Sequence, residues 1–173
     1  MCLDITACSK ARFVHNDEVC EDDDHCHISS LPEFVVRLDG KTDGCYVFDD
    51  APRFGFCAGS CSSFYRWRDV LSYVALGVSL ESFWDNMDEF NGRPFMELLY
   101  MADNEGAIGP ATSKKLVADF ENLRGAVEQK LRETIKERGW PFDDRDVRGW
   151  LEQYSNWHKA FALASDDGFV LFH

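Results

Sequence analysis

The stretch FGFCAGSCSSFYRWRD, residues 54–69, decides the fold, because the pattern of the chain changes there. Before it, apolar and polar residues alternate, which is typical of strands in a half-buried sheet. After it, apolar residues recur at three- and four-residue steps, which is typical of an amphipathic helix. The stretch therefore predicts a short strand at 54–56 that leads into a helix from about Ser63 to Gly77.

Upstream of this stretch the chain predicts a sheet. Candidate strands lie at 3–7, 11–14, 34–38 and 45–48. Turn signals, Asp-Gly at 39–40 and again at 43–44, separate the last two candidates. The acidic segment at 16–27 is expected to form an exposed loop.

Downstream, the helical period continues to the last strand candidate. Helices are predicted over 79–90, from Pro94, from Pro110 to Gly139 with a weak point at Gly125, and across a last stripe of aromatic residues. That stripe consists of Trp150, Tyr154, Trp157 and Phe161. A strand at 169–172 follows. The sequence predicts one α+β domain over residues 1–173, in which an antiparallel sheet from the N-terminal third packs against several C-terminal helices. Whether the last strand rejoins that sheet is left open.

The chain is strongly acidic, with 31 Asp and Glu against 18 Lys and Arg and a net charge of −13. This balance argues against direct nucleic-acid binding, which requires excess positive charge. It permits an acidic mimic of nucleic acid that binds a basic groove on another protein. No apolar run is long enough to span a bilayer, and the N-terminus lacks a signal-peptide pattern, so a cytoplasmic protein is expected, in the host cytoplasm if a phage encodes it.

Cysteine is frequent, and its number is odd. Because the protein is expected in the cytoplasm, free thiols are predicted. The best zinc candidates are 25–27 beside 22–24, or Cys57 with Cys61, but neither has the spacing of a zinc knuckle. No metal and no cofactor are predicted.

The start of the helix predicted from about Ser63, with the loop before it, is the strongest candidate site. Free amides at a helix N-terminus, serine hydroxyls and arginines suit a phosphate, and aromatic rings beside them suit a base. The candidate ligand-binding residues here are Ser60, Ser62, Tyr65, Trp67, Arg68 and Arg53. The alternative is an ordinary N-cap at Ser62 or Ser63, with the arginines in salt bridges on an acidic surface. Arg66 and Arg68 lie two positions apart, so they cannot both serve one site from a regular helix.

Two further regions are weaker candidates. Residues 103–108 resemble part of a calcium-binding loop but lack acidic ligands at its first and last positions, so a turn is the better prediction. Asp103 or Glu105 is a candidate to recognise a ribose hydroxyl or a base edge, and His173 to reach a site if the last strand is central. Neither a nucleophile-elbow motif nor a zinc-protease motif occurs, so binding is favoured over catalysis, and a small hydrolase is a weaker alternative.

Several blocks of the chain resemble an uncharacterised family of small bacterial and bacteriophage proteins. They are MCLDITA at 1–7, AGSCSSFYRWRD at 58–69, PFMELL at 94–99, ADNEGAIGP at 102–110 and ALASDDGFVLFH at 162–173. The resemblance implies no reaction. It gives priority to 59–68, to 103–110 and to His173 as site regions. Since that family pattern has Gly or Tyr where this chain has Cys2, Cys8 and Cys61, it also implies that these cysteines are substitutions.

Small phage proteins without enzymatic motifs are often counter-defence proteins. The sequence therefore predicts a non-catalytic binder of a phosphorylated, nucleotide-like molecule, a sponge for a cyclic nucleotide immune signal. The alternative is an acidic inhibitor that binds a bacterial defence protein directly, through 17–24 and 143–146. A homo-oligomer is compatible with either function.

Overall fold

The computed structural model describes residues 2–14, 25–28, 35–48, 51–102 and 105–173. These residues contain strands β1 Asp4–Cys8, β2 Arg12–Val14, β3 His25–Ile28, β4 Val35–Arg37, β5 Gly44–Val47, β6 Arg53–Cys57, β7 Gly106–Ile108 and β8 Phe169–Phe172. They also contain helices α1 Cys61–Leu76, α2 Leu80–Asp85, α3 Met96–Leu99, α4 Pro110–Arg124, α5 Val127–Arg138 and α6 Asp144–Ala164, with a 3₁₀ turn at Met87–Phe90.

The strands form two sheets. A five-stranded sheet has the order β4-β7-β8-β1-β6, and a three-stranded sheet has the order β2-β5-β3. All pairs are antiparallel except β4 with β7, which is parallel. The predicted α+β class is confirmed, and the last strand joins the larger sheet between β7 and β1.

The larger sheet is covered on both faces. Alternate residues of β8 separate accordingly: Val170 and Phe172 belong to the core under the helices, while Phe169 and Leu171 belong to a second core under the small sheet. All four residues of β8 are buried. The larger sheet is therefore the middle layer between the helices and the small sheet.

Helix α1 begins and ends where its capping residues require. Ser60 is the N-cap, and its side chain accepts a hydrogen bond from the Ser63 amide at 3.2 Å. Gly77 ends the helix in the left-handed region, with φ of 78°. The predicted helix is confirmed, although it begins two residues earlier, at Cys61.

Helix α6 carries the predicted aromatic stripe into the centre of the core. Trp157 is fully buried, and its ring packs against Phe64, Phe56 and Phe172 at centroid distances of 5.4, 5.1 and 5.5 Å. The ring therefore joins α1, β6 and β8 at one point.

Some predicted elements differ from the observed ones. The long helix after Pro110 is divided into α4 and α5 at Gly125, as its weak point indicated. The turn predicted at 103–108 ends in strand β7, which supplies part of the larger sheet from outside the N-terminal third. Because β7 is only three residues long, it carries too little alternation to indicate a strand. None of the helices in the described residues is long and apolar enough to cross a membrane.

The expectation of free thiols is wrong for three cysteines. Cys2 and Cys57 form a disulfide with a Cα–Cα distance of 6.3 Å, and Cys45 is also disulfide-bonded. Cys8, Cys26 and Cys61 are not part of a disulfide. The disulfide brings together residues 55 positions apart, a proximity that spacing alone does not reveal.

Stability is expected to be sensitive to one added methyl group at Gly168, just before β8 begins. A Cβ at Gly168 would collide with the backbone carbonyl of Cys8 in β1. We expect Gly168→Ala to lower the free energy of unfolding by about 1–3 kcal/mol, the range for overpacking. Urea denaturation measures this change.

Gly125 offers the matched control, because its added Cβ would meet open space and its φ of −68° suits any residue. Gly125→Ala is expected to raise stability by about 0.4–1 kcal/mol. Equal effects of the two substitutions would contradict the close approach of β8 to β1.

Candidate functional site: a groove between α1 and α6

An open groove of about 680 Å³ runs between the N-terminal halves of α1 and α6. The loop at 58–59, which joins β6 to α1, lines part of it, and Phe142 lines it just before α6 begins. We call this feature the α1/α6 groove. Its volume falls within the range of about 300–1,000 Å³ that is usual for small-molecule sites.

Two tryptophans form the floor of the groove. The rings of Trp67 and Trp150 stack with centroids 5.5 Å apart, and each side chain is only 6% exposed. Each indole N–H donates to the backbone carbonyl of the other tryptophan at 3.3 Å. These reciprocal bonds fix α1 against α6, so the floor is rigid.

Three arginines line the groove from two helices. Arg66 extends from α1, while Arg145 and Arg148 extend from the first turns of α6, and all three are exposed. The acidic residues among the lining are Asp146 and Glu152, and Asp146 accepts a hydrogen bond from the Asp143 amide at 2.9 Å. In a chain of net charge −13, this concentration of positive charge favours an anionic ligand.

Gln153 provides the same groove with a hydrogen-bond acceptor that has no donor among the described residues. Its amide nitrogen donates to the Cys57 carbonyl at 3.1 Å, which fixes the orientation of the side chain. Its Oε1 atom is buried and has no hydrogen-bond donor among the described residues. Since buried polar atoms normally have a partner, a ligand hydroxyl or N–H group would complete this site.

Of the predicted serines, Ser60 caps α1, and neither Ser60 nor Ser62 lines the groove. The Ser60 hydroxyl lies 2.9 Å from the hydroxyls of both Ser62 and Ser63, and only Ser63 of the three is part of the lining. The helix start is thus an N-cap, but the capping residue is Ser60 and not Ser62 or Ser63. Ser60 and Ser62 are exposed at the helix start, beside the groove.

The structure places Arg68 in the core, where the ligand role predicted for it has no access. Its side chain is fully buried, and the guanidinium lies 4.2 Å from the centroid of the Phe64 ring. It donates hydrogen bonds to the backbone carbonyls of Leu99 and Met101. Arg66, two positions away, faces the groove because residues two apart on a helix point in different directions.

The other predicted residues are dispersed. Trp67 is part of the floor, whereas Tyr65 donates to the Glu81 carboxylate at 3.3 Å away from the groove. Arg53 lies on edge strand β6 with its guanidinium 5.5 Å from the Phe48 ring centroid. Glu105 is exposed before β7, His173 is exposed after β8, and neither lines the groove. Asp103 lies outside the described residues.

Sequence reasoning missed the contribution of α6. Arg145 and Arg148 are three positions apart, a spacing that places both on one helix face and could have indicated a basic surface. The sequence instead predicts residues 143–146 as part of an acidic surface that contacts a defence protein. Asp143 and Asp146 instead form the capping box of α6, and Asp144 pairs with Arg132 at 2.9 Å. Residues 17–24 of that predicted surface lie outside the described residues.

Comparison of the chain with protein-family models, with curated proteins and with solved structures finds no match. The function is therefore inferred from the groove itself, which is an aromatic floor with arginine walls on an α+β scaffold.

Substitutions of Arg66 and Arg68 are expected to change stability by different amounts, because Arg66 is exposed and Arg68 is buried. Arg68→Ala removes a buried cation that bonds two carbonyls, so we expect the free energy of unfolding to fall by at least about 1.5–3 kcal/mol. Arg66→Ala alters an exposed side chain and should change stability by no more than about 0.5 kcal/mol. Urea denaturation of both variants tests this, and equal losses would contradict the burial of Arg68.

The capping box predicts a pH dependence. The amides of Asp146 and Arg145 bond the Asp143 carboxylate and hold its pKa below the usual value. A depressed pKa in the folded state means that stabilisation is complete above the unfolded pKa and is lost as pH falls through the folded pKa. We therefore expect acid to weaken the wild-type protein at this helix start below about pH 4.

Asp143→Asn keeps an N-cap acceptor but does not titrate, so its melting temperature should fall less than that of the wild type between about pH 4 and pH 2. Asp88→Asn, on the exposed 3₁₀ turn, is the control and should follow the wild-type profile. Identical pH profiles for wild type and Asp143→Asn would disprove the prediction.

Proposed function

We propose that this protein is a non-catalytic binding protein for a phosphorylated, nucleotide-like small molecule, which it holds in the α1/α6 groove. One observation carries the proposal: Arg66, Arg145 and Arg148 converge from two helices over a tryptophan floor, in a chain that is otherwise strongly acidic.

The arginines suit the phosphate groups. A guanidinium can donate two parallel hydrogen bonds to a phosphate, and it keeps its charge at any physiological pH. Because Arg145 and Arg148 occupy one face of α6 and Arg66 lines the groove from α1, phosphate groups bound in the groove would meet arginines on both walls. A ligand with two phosphates would neutralise more of this charge than a ligand with one.

The remaining lining suits a base and a sugar. The ring of Phe142 is half-buried, stacks on Trp140 with centroids 5.7 Å apart and lines the groove, where it offers an aromatic surface to a planar ligand. Stacking of a base on an aromatic ring is worth about 1–3 kcal/mol. The Gln153 Oε1 atom would accept a hydrogen bond from a ribose hydroxyl or from an exocyclic amine of the base.

The lining supports binding without turnover. Its ionisable side chains are the three arginines, Asp146 and Glu152, and the Asp146 carboxylate is engaged in the capping box. The Ser63 hydroxyl bonds the Ser60 hydroxyl, with no general base among its described partners. Nucleophilic catalysis needs a nucleophile beside a general base, whereas the ionisable side chains that line this groove are mainly arginines.

We extend the proposal to a biological role as a sponge that sequesters a cyclic nucleotide immune signal on behalf of a phage. The resemblance to small phage proteins motivates this role, and a sponge requires affinity but no turnover. An acidic inhibitor of a defence protein is the competing function.

The test is a panel of cyclic dinucleotides and cyclic ADP-ribose isomers, measured by thermal shift and then by titration calorimetry. At a hundredfold excess over Kd, a ligand should add about 2.7 kcal/mol of stability. Arg145→Ala and Arg148→Ala should each lose about 1.5–3 kcal/mol of binding free energy. Chromatography of the ligand after incubation should recover it unchanged.

Arg93→Ala removes an exposed arginine that does not line the groove and is the matched control. It should bind the ligand as the wild type does. A panel without a single shift would favour the acidic inhibitor, and wild-type affinity in both α6 variants would move the site elsewhere.

A further inference from the structure

A row of metal-ligating side chains crosses three neighbouring strands at one end of the larger sheet. Asp4 of β1 lies directly opposite Cys57 of β6. On its other side, Asp4 exchanges two backbone hydrogen bonds with His173, at 3.2 and 2.9 Å. Residues directly opposite each other in antiparallel strands project to the same face. Cys57, Asp4 and His173 therefore project side by side, away from the α1/α6 groove.

Cys2 completes the cluster. The Sγ atoms of Cys2 and Cys57 and a carboxylate oxygen of Asp4 all lie within 4.8 Å of one another. With Zn–S distances of about 2.3 Å and Zn–O distances of about 2.1 Å, the ligands of a tetrahedral zinc ion lie about 3.5–4 Å apart. To reach that geometry the two sulfurs must separate on reduction, and the His173 imidazole, which is not part of this cluster, must turn towards it.

We propose that the reduced protein binds Zn²⁺ at this position through Cys2, Cys57 and Asp4, with His173 as the fourth ligand. The disulfide and the metal are mutually exclusive, because the same two sulfurs serve both. A dithiol reductant delivers two electrons and two protons to the Cys2–Cys57 bond, which yields two thiols and the oxidised reductant. Zn²⁺ then displaces the two thiol protons and is held by two thiolates.

The surrounding backbone prepares the site. The Gly59 amide donates to the Cys57 sulfur at 3.2 Å, which fixes the position of that sulfur. Leu3 donates to the Gly59 carbonyl at 2.7 Å and accepts from the Ala58 amide at 2.9 Å. These backbone bonds hold the neighbours of both cysteines in place. A net charge of −13 also favours a cation.

The other free cysteines do not compete for the metal. Burial raises the pKa of the Cys8 and Cys26 thiols to about 12, so both stay protonated at neutral pH. Cys61 is exposed at the start of α1, is not part of a disulfide and does not belong to the cluster. It therefore provides a matched control for the removal of a thiol.

The experiment uses the full chain, reduced under nitrogen with a phosphine, and Co²⁺ as the spectroscopic probe. The phosphine takes up the oxygen of water, while the disulfide takes up two electrons and two protons. We expect one Co²⁺ per chain, with sulfur-to-cobalt charge-transfer bands and the visible bands of a tetrahedral ion. Zn²⁺ should displace it, and competition with a chromophoric chelator gives the affinity. The oxidised protein should show neither the charge-transfer bands nor the visible bands.

Variants assign the ligands. Cys2→Ser should weaken Zn²⁺ binding at least about 100-fold, and Asp4→Asn or His173→Ala at least about 10-fold, since even outer-shell partners contribute 10–100-fold. Cys61→Ser should bind as the wild type does. Each variant is melted in its reduced, metal-free form to establish that it is folded.

Absence of sulfur-to-cobalt bands in the reduced wild type would overturn the proposal. So would loss of binding in Cys61→Ser with retention in Cys2→Ser, or wild-type affinity in Asp4→Asn or His173→Ala. The four proposed metal ligands do not line the α1/α6 groove, although Gly59 borders both sites, so ligand binding in the groove is measured separately on the oxidised protein.

Discussion

Burial of β8 on both faces holds the helical layer and the small sheet in one structure. Val170 and Phe172 pack under the helices, and Phe169 and Leu171 pack under the small sheet. Full burial of such a side chain contributes about 1.5–3 kcal/mol, so this one strand stabilises both layers. Its partner β1 pairs in turn with β6, which leads directly into α1. The position of the α1 wall of the groove therefore depends on β8.

Most of the fold could be predicted because long periodic segments carry strong local signals. The helices at 61–76 and 144–164 and the strand at 169–172 follow their apolar spacing. The division into two sheets could not be predicted, because it depends on which strands pair across distant parts of the chain. The parallel partner of β4 is β7, about 70 positions later. Each of these strands has three residues, which is too few for an alternating apolar pattern to indicate the pairing.

The candidate site could be predicted only in part, for the same physical reason. The sequence pointed to the region around the start of α1, where residues 58–59, Ser63, Arg66 and Trp67 line the groove. It could not indicate that α6 supplies the opposite wall, because tertiary packing brings Trp150 against Trp67. Arg68 shows the limit of composition: an arginine between aromatic residues resembles a ligand-binding residue, yet burial makes it a structural one.

The pairing of β1 with β8 has a consequence for how the chain folds. Residues 4–8 contact residues 169–172, so the centre of the larger sheet joins segments about 160 positions apart. Closing so long a loop costs conformational entropy, and the strand pair contributes no stability until the loop has closed. Contacts of this kind slow folding, while the helices between the two strands form from local contacts. The central strand pair is thus expected to be among the last parts to assemble.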